Sequence, residues 1–120
     1  MPLKILFIDD DADWRQAVSG ALEAAGYQIT TAKDASEAME QGESQLGLII
    51  LDLNLAGESG LTLMKYLRHN HPGVPILLFS GMEHDDSTVR AMLDQGADQY
   101  LRKTGVEELV VTVGSYLRPG

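Results

Sequence analysis

The chain has 120 residues, enough for one domain that buries about two-thirds of its unfolded surface around a single core. Nine lysines and arginines against 18 aspartates and glutamates give a formal charge of -9, which disfavours direct nucleic-acid binding by phosphate-backbone contacts. Cysteine is absent, so neither a disulfide framework nor a thiolate metal centre is available, and no apolar run approaches the roughly 18 residues of a membrane span; the expectation is a soluble, cytoplasmic protein with no membrane partner.

The first apolar run, Ile5-Leu6-Phe7-Ile8, has no polar alternation and ends in Asp9-Asp10-Asp11. It predicts a strand buried on both faces that delivers acids to its carboxyl end. Trp14, Val18, Ala21, Leu22 and Ala25 then follow helical spacing until Gly26 supplies a stop, with Asp10 or Asp11 available as cap. Tyr27, Ile29 and Thr31 alternate with Gln28 and Thr30, which suits an edge strand. Asp34 caps a short second helix from Ala35 to about Gln41, with Ala35, Ala38 and Met39 on its thin apolar face.

The run Leu48-Ile49-Ile50-Leu51 is the strongest signal of a central strand, and it closes on Asp52. A third helix starts near Glu58, uses Leu61, Leu63, Met64 and Leu67 inward, and ends at His71-Pro72-Gly73. Ile76-Leu77-Leu78-Phe79 forms the fourth strand and ends in Ser80-Gly81. Asp85, Asp86 or Ser87 caps a fourth helix with Val89, Met92 and Leu93 on one face and Gly96 as its stop. Tyr100-Leu101-Arg102 is a fifth strand ending in Lys103, and a last helix begins near Val106, turning Leu109, Val110, Val113 and Leu117 inward. Met64 and Met92 read as core fillers, as do Met39 and Met82, and the three histidines as surface residues.

The alternation of strands and helices predicts an α/β fold, a five-stranded parallel doubly wound sheet with helices on both faces. With the second strand at an edge the order is 2-1-3-4-5, and the switch point falls between strands one and three. Asp9, Asp10 and Asp52 then meet at one rim with Ser80 and Lys103. Three carboxylates from adjacent strand ends repel one another unless a cation lies between them, and hard oxygen donors suit Mg²⁺ or Mn²⁺. A single cap does not require three acids.

The acids after strand one, Asp52 with Leu53-Asn54 and Gly57-x-x-Gly60 behind it, Ser80-Gly81, and Gly96-Ala97-Asp98-Gln99-Tyr100-Leu101-Arg102-Lys103 together resemble the receiver domain of two-component response regulators, a CheY-like family. The resemblance spans residues 1–120 as one receiver domain, with no output domain within the chain, and implies a flavodoxin-like fold. It implies Asp52 as phosphoacceptor, Asp9, Asp10, Asp52 and the Asn54 carbonyl as Mg²⁺ ligands, Lys103 as rim lysine, Ser80 as switch hydroxyl and Tyr100 as switch aromatic. The implied donor is a sensor histidine kinase or a histidine phosphotransfer protein. The implied readout is an output domain or effector bound by the face of helix four, strand five and helix five, with a phosphorylation-dependent homodimer as one assembly. A signalling domain of this kind supports its own phosphotransfer and autodephosphorylation and is not a turnover enzyme.

Ala56 and Thr104 stand where the family commonly has proline, so the Lys103-Thr104 bond is expected to be trans. The segment around it is similar to receivers that precede helix-turn-helix DNA-binding domains of the nitrate-response type, and a receiver excised from a longer regulator is the expectation. A flavodoxin would need an anion-binding loop where Asp9-Asp10-Asp11 stands. A haloacid-dehalogenase-type aspartyl-phosphate phosphatase would need a second aspartate where Asn54 stands. A receiver-like interaction module without phosphate turnover is the third alternative.

Overall fold

The computed structural model describes residues 3–40, 45–53, 55, 60–81 and 86–119. In chain order the elements are β1 (Lys4–Ile8), α1 (Ala12–Ala24), β2 (Gln28–Ala32), α2 (Ala35–Glu40), β3 (Leu46–Leu51), α3 (Gly60–Asn70), β4 (Ile76–Ser80), α4 (Asp86–Asp94), β5 (Gln99–Arg102) and α5 (Glu107–Tyr116). The strands form one parallel sheet in the order β2-β1-β3-β4-β5, as the edge character of the second strand implied.

The uninterrupted aliphatic runs have a direct structural cause. Successive side chains in a strand point to opposite faces. Leu6, Ile8, Ile49, Leu51, Ile76 and Leu78 therefore enter a core that includes Leu63, Met64, Leu67 and Met92 from α3 and α4. Ile5, Phe7, Leu48, Ile50, Leu77 and Phe79 enter a second core with Val18, Leu22, Leu109 and Val113 from α1 and α5. Both faces are covered, so no position within these runs can be polar until the chain reaches the rim.

The helix boundaries follow local chemistry. Asp11 is the N-cap of α1, its carboxylate accepting from the Asp13 amide at 2.9 Å. Gly26 and Gly96 adopt φ of 99° and 132°, left-handed values that let the chain turn out of α1 and α4. Arg68 ties the end of α3 to the approach of β5, donating to the carbonyls of Pro72 and Gly96 and to the Asp98 carboxylate.

Three expectations change. Met39 on α2 is 49% exposed and Leu93 on α4 is 37% exposed, so neither belongs to the core. Of the apolar set on α2 only Ala38 is fully covered. In β2 the alternation is blurred, since Ile29, Thr30 and Thr31 are all half-buried at the sheet edge. The expected helix starts at Glu58 and Asp85, the end of α2 at Gln41 and the side chain of Met82 lie outside the described residues.

Gly60 opens α3 because nothing larger fits. A Cβ there would stand 2.6 Å from both Cα and the carbonyl oxygen of Leu53, and backbone atoms cannot yield as a flexible side chain can. Gly60→Ala is expected to destabilise the fold by about 1–3 kcal/mol, the usual cost of overpacking, read as a lowered urea midpoint at constant slope. An unchanged midpoint would show that the Leu53 backbone yields to the added methyl group.

Candidate functional site

The rim is assembled by hydrogen bonds that extend the ladder one residue past each strand. The Asp9 amide donates to the Ala32 carbonyl at 3.0 Å, the Asp52 amide to Ile8 at 2.9 Å and the Lys103 amide to Ser80 at 2.9 Å. Asp9 and Asp52 are thereby delivered from neighbouring parallel strands, and Lys103 from the far side of β4.

One oxygen from each of Asp9, Asp10 and Asp52 lies within 4.8 Å of the others. Asp9 and Asp52 are buried and Asp10 is exposed, so the cluster forms a small acidic well open on one side. Lys103, whose side chain is 8% exposed, closes the inner wall: its Nζ is 2.5 Å from Asp9 Oδ2 and 3.3 Å from Asp52 Oδ2. The ammonium pairs with both carboxylates, and the nearer partner is Asp9.

Asp9 is fully buried. Its Oδ1 accepts from the Asp11 amide at 2.9 Å, while Oδ2 is fully buried and accepts no hydrogen bond of suitable geometry despite the adjacent ammonium, making that contact one of charge. Burial raises the Asp9 carboxyl above its ordinary range; Lys103 and the Asp11 amide oppose this, and the negative charge of Asp52 adds to it. A buried oxygen with unused acceptor capacity, beside two further carboxylates, fits a hard divalent cation.

Ser80 ends β4 and is fully buried. Tyr100 is half-buried in β5 and lines a cleft of about 450 Å³ with Asp86, Val89, Arg90, Leu93 and Arg102. A methyl group at Gly81 would touch the Lys103 side chain only at ordinary contact distance, 3.8 Å, so Gly81 borders the lysine without crowding it. The Lys103-Thr104 bond is trans. Asn54, expected to lend a carbonyl to the cation, lies outside the described residues.

Two neighbours of the site carried no functional signal in the sequence. Arg15 reads as a surface residue of α1, yet its guanidinium donates to the Asp9 carbonyl at 2.8 Å and holds the loop that carries the acids. Trp14 reads as a core residue, yet its ring centroid is 5.3 Å from the Lys103 ammonium. The spacing from Asp9 to Arg15, one loop and one helical turn, is the only hint that the arginine could fold back.

Among known proteins, the family model described as the response regulator receiver domain matches residues 5–113. The probable transcriptional regulatory protein TcrX of Mycobacterium tuberculosis is 34% identical over 119 residues, covering 98% of this chain and 50% of TcrX. The chain thus spans about half the length of the curated relatives it matches. A two-component response regulator from Clostridium difficile superposes with a TM-score of 0.87 at 33% identity, covering 97% of this chain and 96% of that one. A response regulator from Burkholderia pseudomallei, solved with a phosphorylated aspartic acid, calcium ion and citrate, superposes with a TM-score of 0.83 at 29% identity, covering 97% and 66%.

Proposed function

The chain belongs to the response regulator receiver domain family, and from that premise we propose that Asp52 is its phosphoacceptor and that a histidine-bound phosphoryl group is the donor. The observation that carries the reading is the pair of buried carboxylates, Asp9 and Asp52, sharing one buried ammonium at the carboxyl edge of a parallel sheet. The phosphorylated aspartic acid and calcium ion of the Burkholderia pseudomallei regulator support the same assignment.

Asp9, Asp10 and Asp52 would hold Mg²⁺ or Mn²⁺, with Asn54 as the proposed carbonyl ligand. When bound, such an ion supplies positive charge against the oxygens of the transferring group. Asp52 attacks phosphorus as the ionised carboxylate, a P–O bond forms as the P–N bond to imidazole breaks, and the leaving imidazole takes up a proton. Lys103 places fixed positive charge beside the same oxygens, so this charge needs no reorganisation as they gain electron density. Ser80 stands one strand away with a hydroxyl able to bond a phosphoryl oxygen, and Tyr100 lines the cleft through which its movement would be felt. The proposed partners are a sensor histidine kinase or phosphotransfer protein on the input side and an output domain or effector on the face of α4, β5 and α5. Among the described residues no helix is long and apolar enough to cross a membrane.

The testing experiment is incubation of the protein with acetyl phosphate and Mg²⁺, followed by mapping of the modified residue. Labelling at Asp52 that requires the cation supports the reading; labelling elsewhere, or independent of it, overturns it. The cation itself is expected to raise stability, because it neutralises repelling acids in the folded state only. At one hundred times its Kd the gain is about 2.7 kcal/mol. A thermal midpoint indifferent to Mg²⁺ would argue against the cluster as a cation site.

A further inference from the structure

Trp14 is the only tryptophan of the chain, and it does not sit on the helix as an ordinary apolar filler. Its ring stands edge-on to Phe79, with centroids 5.4 Å apart and an interplanar angle of 88°. Phe79 is itself fixed, 1% exposed and tilted against Phe7 at 6.3 Å. The indole is therefore braced by the β1–β4 core and presents its face to the Lys103 ammonium 5.3 Å away. The attraction between a cation and an aromatic face is strongest for tryptophan and grows as the cation loses water, and this lysine has lost most of it.

The placement of the ring matches the asymmetry of the ion pairs. Trp14 is on α1, one turn beyond Asp9–Asp11, and the ammonium lies nearer Asp9 at 2.5 Å than Asp52 at 3.3 Å. We infer that Trp14 is a positioning residue for Lys103: its indole face confines the ammonium between the ring, Asp9 and Asp52, and so holds it in place for a group arriving on Asp52. The inference rests on the proposed role of Asp52 for its kinetic consequence, while the contact between ring and lysine stands apart from it.

The test uses the chain with acetyl phosphate as donor and Mg²⁺ as cation. Trp14→Leu keeps an apolar side chain without a π face, and is expected to lower the rate constant of Asp52 labelling about fivefold, the scale of one exposed-to-buried cation–π contact. Trp14→Phe keeps a ring and is expected to recover most of that loss, which a purely packing role would not produce. Independently of phosphorylation, Trp14 emission is expected to change when Mg²⁺ binds the wild-type protein, because a cation shared by Asp9 and Asp52 leaves the ammonium charge beside the ring less neutralised. In Lys103→Met, with Mg²⁺ binding verified by the thermal midpoint, that change is expected to vanish. Equal labelling rates for wild type and Trp14→Leu, or an emission response that survives in Lys103→Met, overturns the inference. A wild-type protein that does not label at Asp52 instead overturns the proposed function, and the emission response still decides whether Trp14 and Lys103 are coupled.

Discussion

Asp52→Asn is expected to reduce phosphoryl incorporation to the background of the assay while leaving the fold intact. The substitution keeps shape and volume but removes the proposed nucleophile, since an amide oxygen carries no full negative charge to attack phosphorus. The other two acids cannot replace it. Asp9 is fully buried and held against Lys103, and Asp10 is directed by the loop that precedes α1 rather than by a strand end. Stability should change little, because Lys103 retains Asp9 as a counter-charge and one source of acid repulsion is gone. The informative comparison is labelling by acetyl phosphate set beside the urea midpoint of the same preparation. Residual labelling at a neighbouring carboxylate would move the proposed phosphoacceptor away from Asp52.

Lys103→Met is expected to have the largest effect on stability of any single change at the rim. Removing one partner of a buried ion pair leaves the other charged and poorly solvated, at a cost of about 3–5 kcal/mol. Here two buried carboxylates lose the same ammonium. The sign of the pH dependence follows from Asp9, whose carboxyl is already raised by burial with Lys103 as its main counterweight. A carboxyl that ionises less readily in the folded chain than in the unfolded one costs stability above its folded pKa. That cost fades as pH falls through the folded pKa towards the ordinary value of 3.8. The variant should therefore lose most against wild type near neutrality and least in mild acid, and it should regain stability with Mg²⁺. Asp9→Asn combined with Lys103→Met should recover much of the loss at neutral pH. Urea midpoints for the three proteins over a pH series decide this, and a deficit that does not vary with pH would show that Lys103 acts through packing alone.

Much of the architecture was legible because parallel central strands leave a one-dimensional trace. Ile5 to Ile8, Leu48 to Leu51 and Ile76 to Phe79 each lack alternation, and only a sheet covered on both faces requires this of successive residues. The convergence of Asp9 and Asp52 followed from strand order, and Asp10 is the next residue along. What escaped was whatever depends on the third dimension at an element's end. Met39 and Leu93 have the right helical phase, yet both side chains are exposed. The preference of Lys103 for Asp9 is set by a difference of less than an ångström in reach, and the double role of Trp14 by the tilt of one ring. Spacing along a chain does not encode either quantity.

The strand order also governs how safely the sheet's most apolar segments are stored. ILFI, LIIL and ILLF are short, uncharged, proline-free and rich in branched or aromatic side chains, the composition from which fibrillar cross-β assemblies nucleate. All three lie on interior strands with hydrogen-bonded partners on both sides. The borders exposed to other molecules are β2, with two threonines and a glutamine, and β5, four residues long and ending in an exposed arginine. Neither offers a flat apolar template to a passing chain. Self-association through these segments thus requires the sheet to open at its middle, and any agent that tightens the acidic rim should slow it as the opened population falls exponentially with the added stability.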